Sequence, residues 1–139
     1  MLKIGEKPDV NVTDGDGRTA LMWAAANGEE NLCAVFVSLG ADLNLRDKRG
    51  RTALSHAAAN GQSGAVKFLV ERKANVNLAD NNGIAPLMWA CLNVHPQTAE
   101  FLLQHNADPN LKDKKGRTAA RFVQETSAQY QQLAKMMVK

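Results

Sequence analysis

Short apolar stretches alternate along the chain with turn-rich polar segments, and the alternation has a constant period. A glycine, an aspartate and an asparagine each recur once per period, always 33 residues apart. The recurring residues are Gly17, Gly50, Gly83 and Gly116, then Asp14, Asp47, Asp80 and Asp113, and finally Asn11, Asn44, Asn77 and Asn110. Agreement of three residue types in one register over four copies identifies a repeat protein.

Each period predicts a turn followed by two short helices. The glycine of the polar segment suits a positive φ, and the aspartate can hydrogen-bond to nearby backbone. Threonine then stands at the N-cap position of the first helix, except in the third period, where Pro86 occupies the first helical position behind Ala85. The threonines are Thr19, Thr52 and Thr118. The first helix of each pair is rich in alanine, so we expect neighbouring helices to pack closely.

The second helix of each period lies between residues that suit left-handed backbone. Gly28 and Gly61 precede it in the first two periods, whereas Val94, followed by Pro96, stands there in the third. We therefore expect the turn at Val94 to differ from its neighbours. The three helices end at Gly40, Lys73 and Asn106. We expect strain at Lys73, because a side chain makes left-handed backbone costly.

These periods resemble ankyrin repeats. The resemblance rests on the segments G-R-T-A-L-M-W-A-A, G-R-T-A-L-S-H-A-A, G-I-A-P-L-M-W-A-C and G-R-T-A-A-R-F-V-Q, and on the ends G-A-D-L-N, K-A-N-V-N and N-A-D-P-N. It implies an all-α fold, an ankyrin-repeat solenoid of about four repeats in which paired antiparallel helices are joined by β-hairpin-like turns. The implied division is a partial N-terminal repeat 1–13, ankyrin repeats 14–46, 47–79 and 80–112, and a C-terminal capping repeat 113–139.

The chain departs from the family signature at the histidine that follows T-P-L. Met22, Ser55, Met88 and Arg121 occupy its place. We therefore expect the hydrogen bond that this histidine usually makes between turn and helix to be missing throughout.

The two ends of the repeat stack differ in sequence. After Gly116 the chain becomes polar, with a thin apolar stripe of Tyr130, Leu133 and Met137 that predicts a shielding last helix; a partner-binding helix is the alternative. The segment Met1–Gly5 corresponds in register to the last turn of a second helix. We expect a capping helix to have been removed upstream of it, and the alternative is a short native arm.

The charge of the chain is concentrated in the turns. The 139 residues carry a formal net charge of +3. The six-residue turns Arg46–Arg51 and Lys112–Arg117 each carry +3, whereas Thr13–Arg18 and Ala79–Ile84 each carry −1. Charged turns are commonly just solvated, but four cations among six residues, twice, also suit an acidic partner.

The resemblance implies that the turn tips and the first helices form a concave partner-binding surface. We expect Ile84 and Leu92 to be an exposed apolar pair between the basic turns. Trp23 and Trp89 share one repeat position, where they either pack between helices or serve as binding anchors. The candidate partner-binding residues are Arg18, Trp23, Arg46, Lys48, Arg49, Arg51, Asn60, Ile84, Trp89, Leu92, Asn93, Lys112, Lys114, Lys115 and Arg117.

Catalytic and metal-binding patterns are missing from the sequence. His56, His95 and His105 do not share a helix face, and no phosphate-binding loop is present. We expect no enzyme activity, no cofactor and no metal. Cys33 and Cys91 are expected to be buried thiols. No apolar run approaches the roughly 18 residues of a membrane span.

The sequence therefore predicts a non-enzymatic protein-binding module, an adaptor or a stoichiometric inhibitor, that binds an acidic protein and is monomeric on its own. Nucleic-acid binding through the basic turns is the alternative, weakened by the low total charge and by the lack of aromatic residues interleaved with the cations. Free cysteines favour the cytoplasm, and the uncapped start leaves a removed export signal open.

Overall fold

The computed structural model describes residues 9–123, 133 and 135–137 of the 139-residue chain. Between residues 9 and 123 it contains six α-helices and one 3₁₀ helix, and these residues form no β-strand. The helices are α1 (Ala20–Ala26), α2 (Glu30–Ser38), α3 (Ala53–Ala59), α4 (Ser63–Glu71), α5 (Pro86–Leu92), α6 (Pro96–Gln104) and the 3₁₀ helix Ala119–Phe122.

The helices form two layers. The inner layer consists of α1, α3, α5 and the 3₁₀ helix, each in contact with the next, and the outer layer consists of α2, α4 and α6. Each inner α-helix also packs against the outer helix that follows it in the chain. This arrangement confirms the predicted all-α solenoid.

Small side chains allow the inner helices to approach one another closely. Ala25, Ala58 and Cys91 occupy one register position, and each is fully buried. Leu21 and Leu54 lie one helical turn before Ala25 and Ala58, on the same face of their helices, and are almost completely buried. Aromatic residues make up only 5% of the chain, and this low content is compatible with a tightly packed core of small side chains and leucines.

The structure confirms two of the three predicted threonine caps. The hydroxyl of Thr19 accepts a hydrogen bond from the N–H of Met22, and that of Thr52 accepts one from Ser55, both at 3.2 Å. Thr118 makes no such side-chain bond and precedes only the short 3₁₀ helix, so its prediction as an N-cap of the same kind is wrong. Pro86 begins α5 behind Ala85, as expected.

The left-handed positions also lie where the sequence places them. Gly40, Lys73 and Asn106 have φ angles of 95°, 71° and 76°. Val94 has a φ of 66°, the same as Gly61, so the expectation of a different turn is wrong. Backbone bonds impose this conformation, because the next N–H, that of His95, reaches back to Ala90 at 2.8 Å as its counterparts do in the first two repeats.

The recurrent asparagines join successive repeats. The side-chain oxygen of Asn11 accepts the N–H of Asp42 at 2.8 Å, and Asn44 and Asn77 make the same bond to residues 75 and 108 at 2.9 Å. This role explains why asparagine recurs at this point of the period.

Part of the apolar stripe near the C-terminus lies in the described residues. Leu133 and Met137 are helical and buried, as the prediction of a core-facing stripe requires. Tyr130 and the segment Met1–Gly5 lie outside the described residues.

Candidate protein-binding surface

Each turn is closed by its aspartate. In the second turn, Oδ1 of Asp47 accepts hydrogen bonds from the N–H groups of Arg49 and Arg51 at 2.9 and 3.0 Å. The same pair of bonds recurs at Asp14, Asp80 and Asp113. The aspartate of the period is therefore a structural residue that fixes the backbone of the turn.

Adjacent turns are bonded to one another, which places their tips in one row. The N–H of Lys48 donates to the carbonyl of Asp16 at 3.0 Å, and that of Asn81 donates to Arg49 at 2.9 Å. The N–H of Lys114 continues the row by donating to Asn82 at 3.0 Å. The side chains of the tips thus project from a backbone that is held on both sides.

Turn and helix are joined by a hydrogen bond in the first three repeats, but a different side chain makes it in place of the family histidine. The indole N–H of Trp23 donates to Oδ2 of Asp14 at 3.2 Å, and that of Trp89 donates to Asp80 at 3.1 Å. In the second repeat, Nε2 of His56 lies 2.9 Å from Oδ2 of Asp47. The donor stands one position after the family histidine.

The fourth repeat uses a different donor. Phe122 occupies the position of the tryptophans and has no N–H to donate. Arg117 takes over this role, with its Nε 2.8 Å from Oδ2 of Asp113 and its guanidinium over the ring of Phe122. The charge of Arg117 is therefore paired within its own repeat.

His56 is the functional candidate that sequence reasoning missed. Burial lowers its pKa; hydrogen bonding to Asp47 opposes this shift, and the charges of Arg18 and Arg51 reinforce it. Burial alone would raise the pKa of Asp47, but the N–H of Arg51 and the imidazole of His56 bring it below its usual range. The available signal was the register, since His56 lies 33 residues from both Trp23 and Trp89.

Two arginines reach from one repeat to the turn of the next. Nε of Arg18 lies 3.9 Å from Oδ2 of Asp47, and Nε of Arg51 lies 3.7 Å from Oδ2 of Asp80. The guanidinium of Arg18 lies over the ring of Trp23, and that of Arg51 over Trp89. These contacts hold the arginines at the surface of the inner layer.

The apolar candidates separate into exposed and buried residues. Trp23 is 48% exposed and Leu92 is 42% exposed, whereas Trp89 is half-buried and packs against the core. Ile84 is buried, so the prediction that it is exposed is wrong. The fourth turn covers the third at this point: the backbone of Asp113 and Lys114 lies against neighbouring Gly83, which leaves no room there for a side chain.

The polar candidates differ in their hydrogen bonds rather than in burial, since Arg46, Asn60 and Asn93 are exposed but bonded. Arg46 donates to the carbonyls of Gly50 and Ala79. Asn60 and Asn93 donate to carbonyls of the preceding repeat at 2.9 and 2.8 Å, so they also join repeats. Besides Arg46, the exposed cations of the basic turns are Lys48, Arg49, Lys112, Lys114 and Lys115.

The described residues contain no group of three or more side chains arranged to hold a metal ion. Cys33 and Cys91 are free and buried, and burial raises the pKa of the Cys91 thiol to about 12, as expected for unreactive core residues. None of the helices in the described part is long and apolar enough to cross a membrane.

Comparisons with known proteins agree with this architecture. The family model of ankyrin repeats matches three times, over residues 1–80, 30–113 and 73–127. A search of curated proteins found no significant match. Ankyrin repeats are generally protein–protein interaction modules, typically without enzymatic activity. With most of its length matched by the family model, the chain belongs to the ankyrin-repeat family.

Proposed function

We propose that the chain is a non-enzymatic adaptor or stoichiometric inhibitor that binds an acidic surface of another protein. The basic tips of the second and fourth turns and the exposed face of the inner helices form the binding surface. The observation that carries the proposal is the exposure of Lys48, Arg49, Lys114 and Lys115 on a bonded backbone row.

The spacing of the charges favours an extended acidic partner. The tip between the two basic turns is formed by Asn81 and Asn82, which carry no charge, while Asp80 behind them is buried. A partner that spans three turns would therefore meet cations, amides and cations in succession. Such an arrangement steers association and selects partners more than it raises affinity.

Apolar contact comes from a different part of the surface. Trp23 on α1 and Leu92 at the end of α5 are both more than two-fifths exposed. Because α5 has seven residues, Leu92 lies about 10 Å along the helix axis from the turn at its start. We therefore place apolar anchors beside the row of cations rather than between them.

Capture of partners from a lysate of the source organism, quantified by mass spectrometry, tests the proposal. We expect Arg49→Glu/Lys114→Glu to lose a specific protein that the wild type retains. Lys67→Glu/Lys135→Glu is the matched control, because it changes the net charge equally at exposed lysines outside the turns. Unchanged recovery with the first variant, or equal loss with both, would contradict the proposal.

Nuclease treatment in the same capture experiment separates protein binding from nucleic-acid binding. We expect the captured protein to remain bound after nuclease treatment of the lysate. Loss of the protein on nuclease treatment, together with direct binding of single-stranded DNA or RNA by the purified chain, would assign the basic tips to nucleic acid instead.

A further inference from the structure

Arg18 and Arg51 are held in place by stacking, and their side chains donate no hydrogen bond to another residue that the structure describes. The guanidinium carbon of Arg18 lies 5.1 Å from the centre of a ring of Trp23, and that of Arg51 lies 4.4 Å from Trp89. Stacking occupies the face of a guanidinium and leaves its in-plane N–H groups free to bond. The two side chains are 28% and 23% exposed.

The aspartates near these arginines do not satisfy them. In the described part of the chain, Nε of Arg18 and Nε of Arg51 are buried and have no hydrogen-bond partner, so the donors open to a ligand are the terminal Nη groups of these partly exposed side chains. The distances from the two Nε atoms to Asp47 and Asp80, 3.9 and 3.7 Å, exceed hydrogen-bonding range. Asp47 is already occupied, since its two oxygens accept bonds from two N–H groups and contact His56.

Two other arginines provide the contrast. Arg46 donates from Nε to Gly50 at 3.1 Å and from Nη2 to Ala79 at 2.6 Å. Arg117 donates from Nε to Asp113 at 2.8 Å. Arg46 and Arg117 are committed to the fold, whereas Arg18 and Arg51 are oriented and still able to bind an anion.

Arg18 and Arg51 line the same depression in the inner layer, between α1 and α3. Its volume is about 240 Å³, and Met22, Trp23, His56 and Asn27 also line it. Met22 and Trp23 provide an apolar wall for methylene groups, and the arginines provide donors for a carboxylate. The depression has the size and polarity to accept one acidic side chain.

We propose that this depression, the carboxylate groove, binds a glutamate or aspartate side chain of the protein partner through Arg18 and Arg51. The inference rests on the proposed function and names the chemistry of one anchor. A carboxylate is the anion that an unmodified protein side chain supplies, and its planar shape matches the guanidinium fork. Between α3 and α5 the corresponding pair is Arg51 and Ile84, and Ile84 is buried, so one groove is singled out.

Titration of the full chain with model compounds tests the groove directly by NMR. The probes are N-acetylglutamate N-methylamide, its neutral glutamine analogue and inorganic phosphate, and the readouts are the Nε–Hε signals of Arg18, Arg51 and Arg46. We expect the glutamate compound alone to give saturable shifts at Arg18 and Arg51, with Arg46 unaffected. Non-saturating shifts, equal shifts with the glutamine analogue, or tighter binding of phosphate would overturn the proposal.

Variants of Arg18 test whether this side chain binds the glutamate compound directly. Arg18→Gln is expected to weaken glutamate binding, read at Arg51, about tenfold, because one of the two charged donors is lost. Arg72→Gln is the control, because Arg72 also stacks on an aromatic ring, that of Phe68, but lies just after the outer helix α4, and it should leave binding unchanged. Arg18→Lys, which keeps the charge but loses the planar fork, should bind with intermediate affinity; wild-type affinity in Arg18→Gln would contradict the role of Arg18.

The carboxylate groove and the proposed function can be contradicted separately. If the titration shows no saturable binding while Arg49→Glu/Lys114→Glu still loses the partner, the carboxylate groove is wrong and the basic tips stand. If the groove binds glutamate while charge reversal at the tips leaves capture unchanged, the assignment of the tips is wrong.

Discussion

The second and third repeats share one backbone but present different chemistry. Both turns are closed by an aspartate with the same two backbone bonds, and both inner helices are tied to that aspartate by a side chain. The second repeat has Arg51, His56 and Gly61 where the third has Ile84, Trp89 and Val94. The turn of the second carries +3 and that of the third −1.

This difference separates residues that fix the backbone of every repeat from residues whose chemistry varies from one repeat to the next. Asp47 and Asp80 perform the same backbone task and do not vary. The positions of Arg51 and His56 carry different side chains in the two repeats: a partly exposed arginine or a buried isoleucine, and a histidine or a tryptophan. We propose that partner choice is carried by the second kind of position.

The largest effect is expected when the shared part is removed. Asp47→Ala and Asp80→Ala should each lower the free energy of unfolding by about 3 kcal/mol, because each leaves two backbone N–H groups and one side-chain donor unpaired. Urea denaturation of both variants measures the loss. A large difference between the two would contradict a common backbone frame.

Exchange at the arginine position tests the asymmetry between the two repeats. Ile84→Arg should destabilise the chain by about 2 kcal/mol, because it removes a buried apolar side chain and places a charge beneath the fourth turn. Arg51→Ile should cost less, because the arginine is partly exposed. Thermal unfolding measures the stability lost in each variant. Equal losses would contradict the difference in burial between Ile84 and Arg51.

His56 should make stability depend on pH in a way that tryptophan at this position does not. Because the pKa of His56 is lowered from 6.5 by burial, the unfolded chain takes up the proton first, and stability falls as the pH drops below about 6.5. One proton gives at most about 1.4 kcal/mol per pH unit. Asp47 adds a loss only below about pH 3.8, where its carboxyl protonates in the unfolded chain.

Replacing His56 by tryptophan, the residue of the first and third repeats, should flatten the dependence between pH 7 and 5. Urea denaturation at several pH values measures it. His105→Gln serves as the control, because His105 is exposed on the outer layer. An unchanged slope in His56→Trp, or an equal flattening in the control, would show that His56 is not responsible.

The smallest effects concern the left-handed positions. Val94→Gly should stabilise the chain by about 1 kcal/mol, because a β-branched residue with a φ of 66° is strained while Gly61 adopts the same angle freely. Lys73→Gly should also stabilise the chain, with about 1 kcal/mol as the upper limit. Its effect should be smaller than that of Val94→Gly, because lysine is not branched at Cβ. A lowered melting temperature in either variant would contradict the assignment of strain.

The repeat could be predicted from the sequence because its backbone tasks require particular residue types. The positive φ at Gly17 and at its equivalents in the other repeats favours glycine, and the hydrogen bonds that close each turn require the aspartate. The hydrogen bond from helix to turn was missed because it can be made by tryptophan, histidine or a neighbouring arginine, and only the geometry shows which residue makes it.

The surface could be predicted only in part. The exposed tips follow from turn chemistry, since charged side chains next to glycine have no core to enter. The burial of Ile84 depends on the fourth turn packing over the third, a contact between residues far apart in sequence. The free donors of Arg18 and Arg51 likewise depend on which aspartate oxygens are already occupied.

Site-specific photocrosslinking tests most directly whether the second and fourth turn tips bind a protein. A benzophenone amino acid is introduced in place of Lys48, Lys114 or, as the control on the outer layer, Lys67. We predict that one and the same partner is crosslinked from the first two positions and not from the third. Crosslinking of that partner from position 67 with none from positions 48 and 114 would contradict the account.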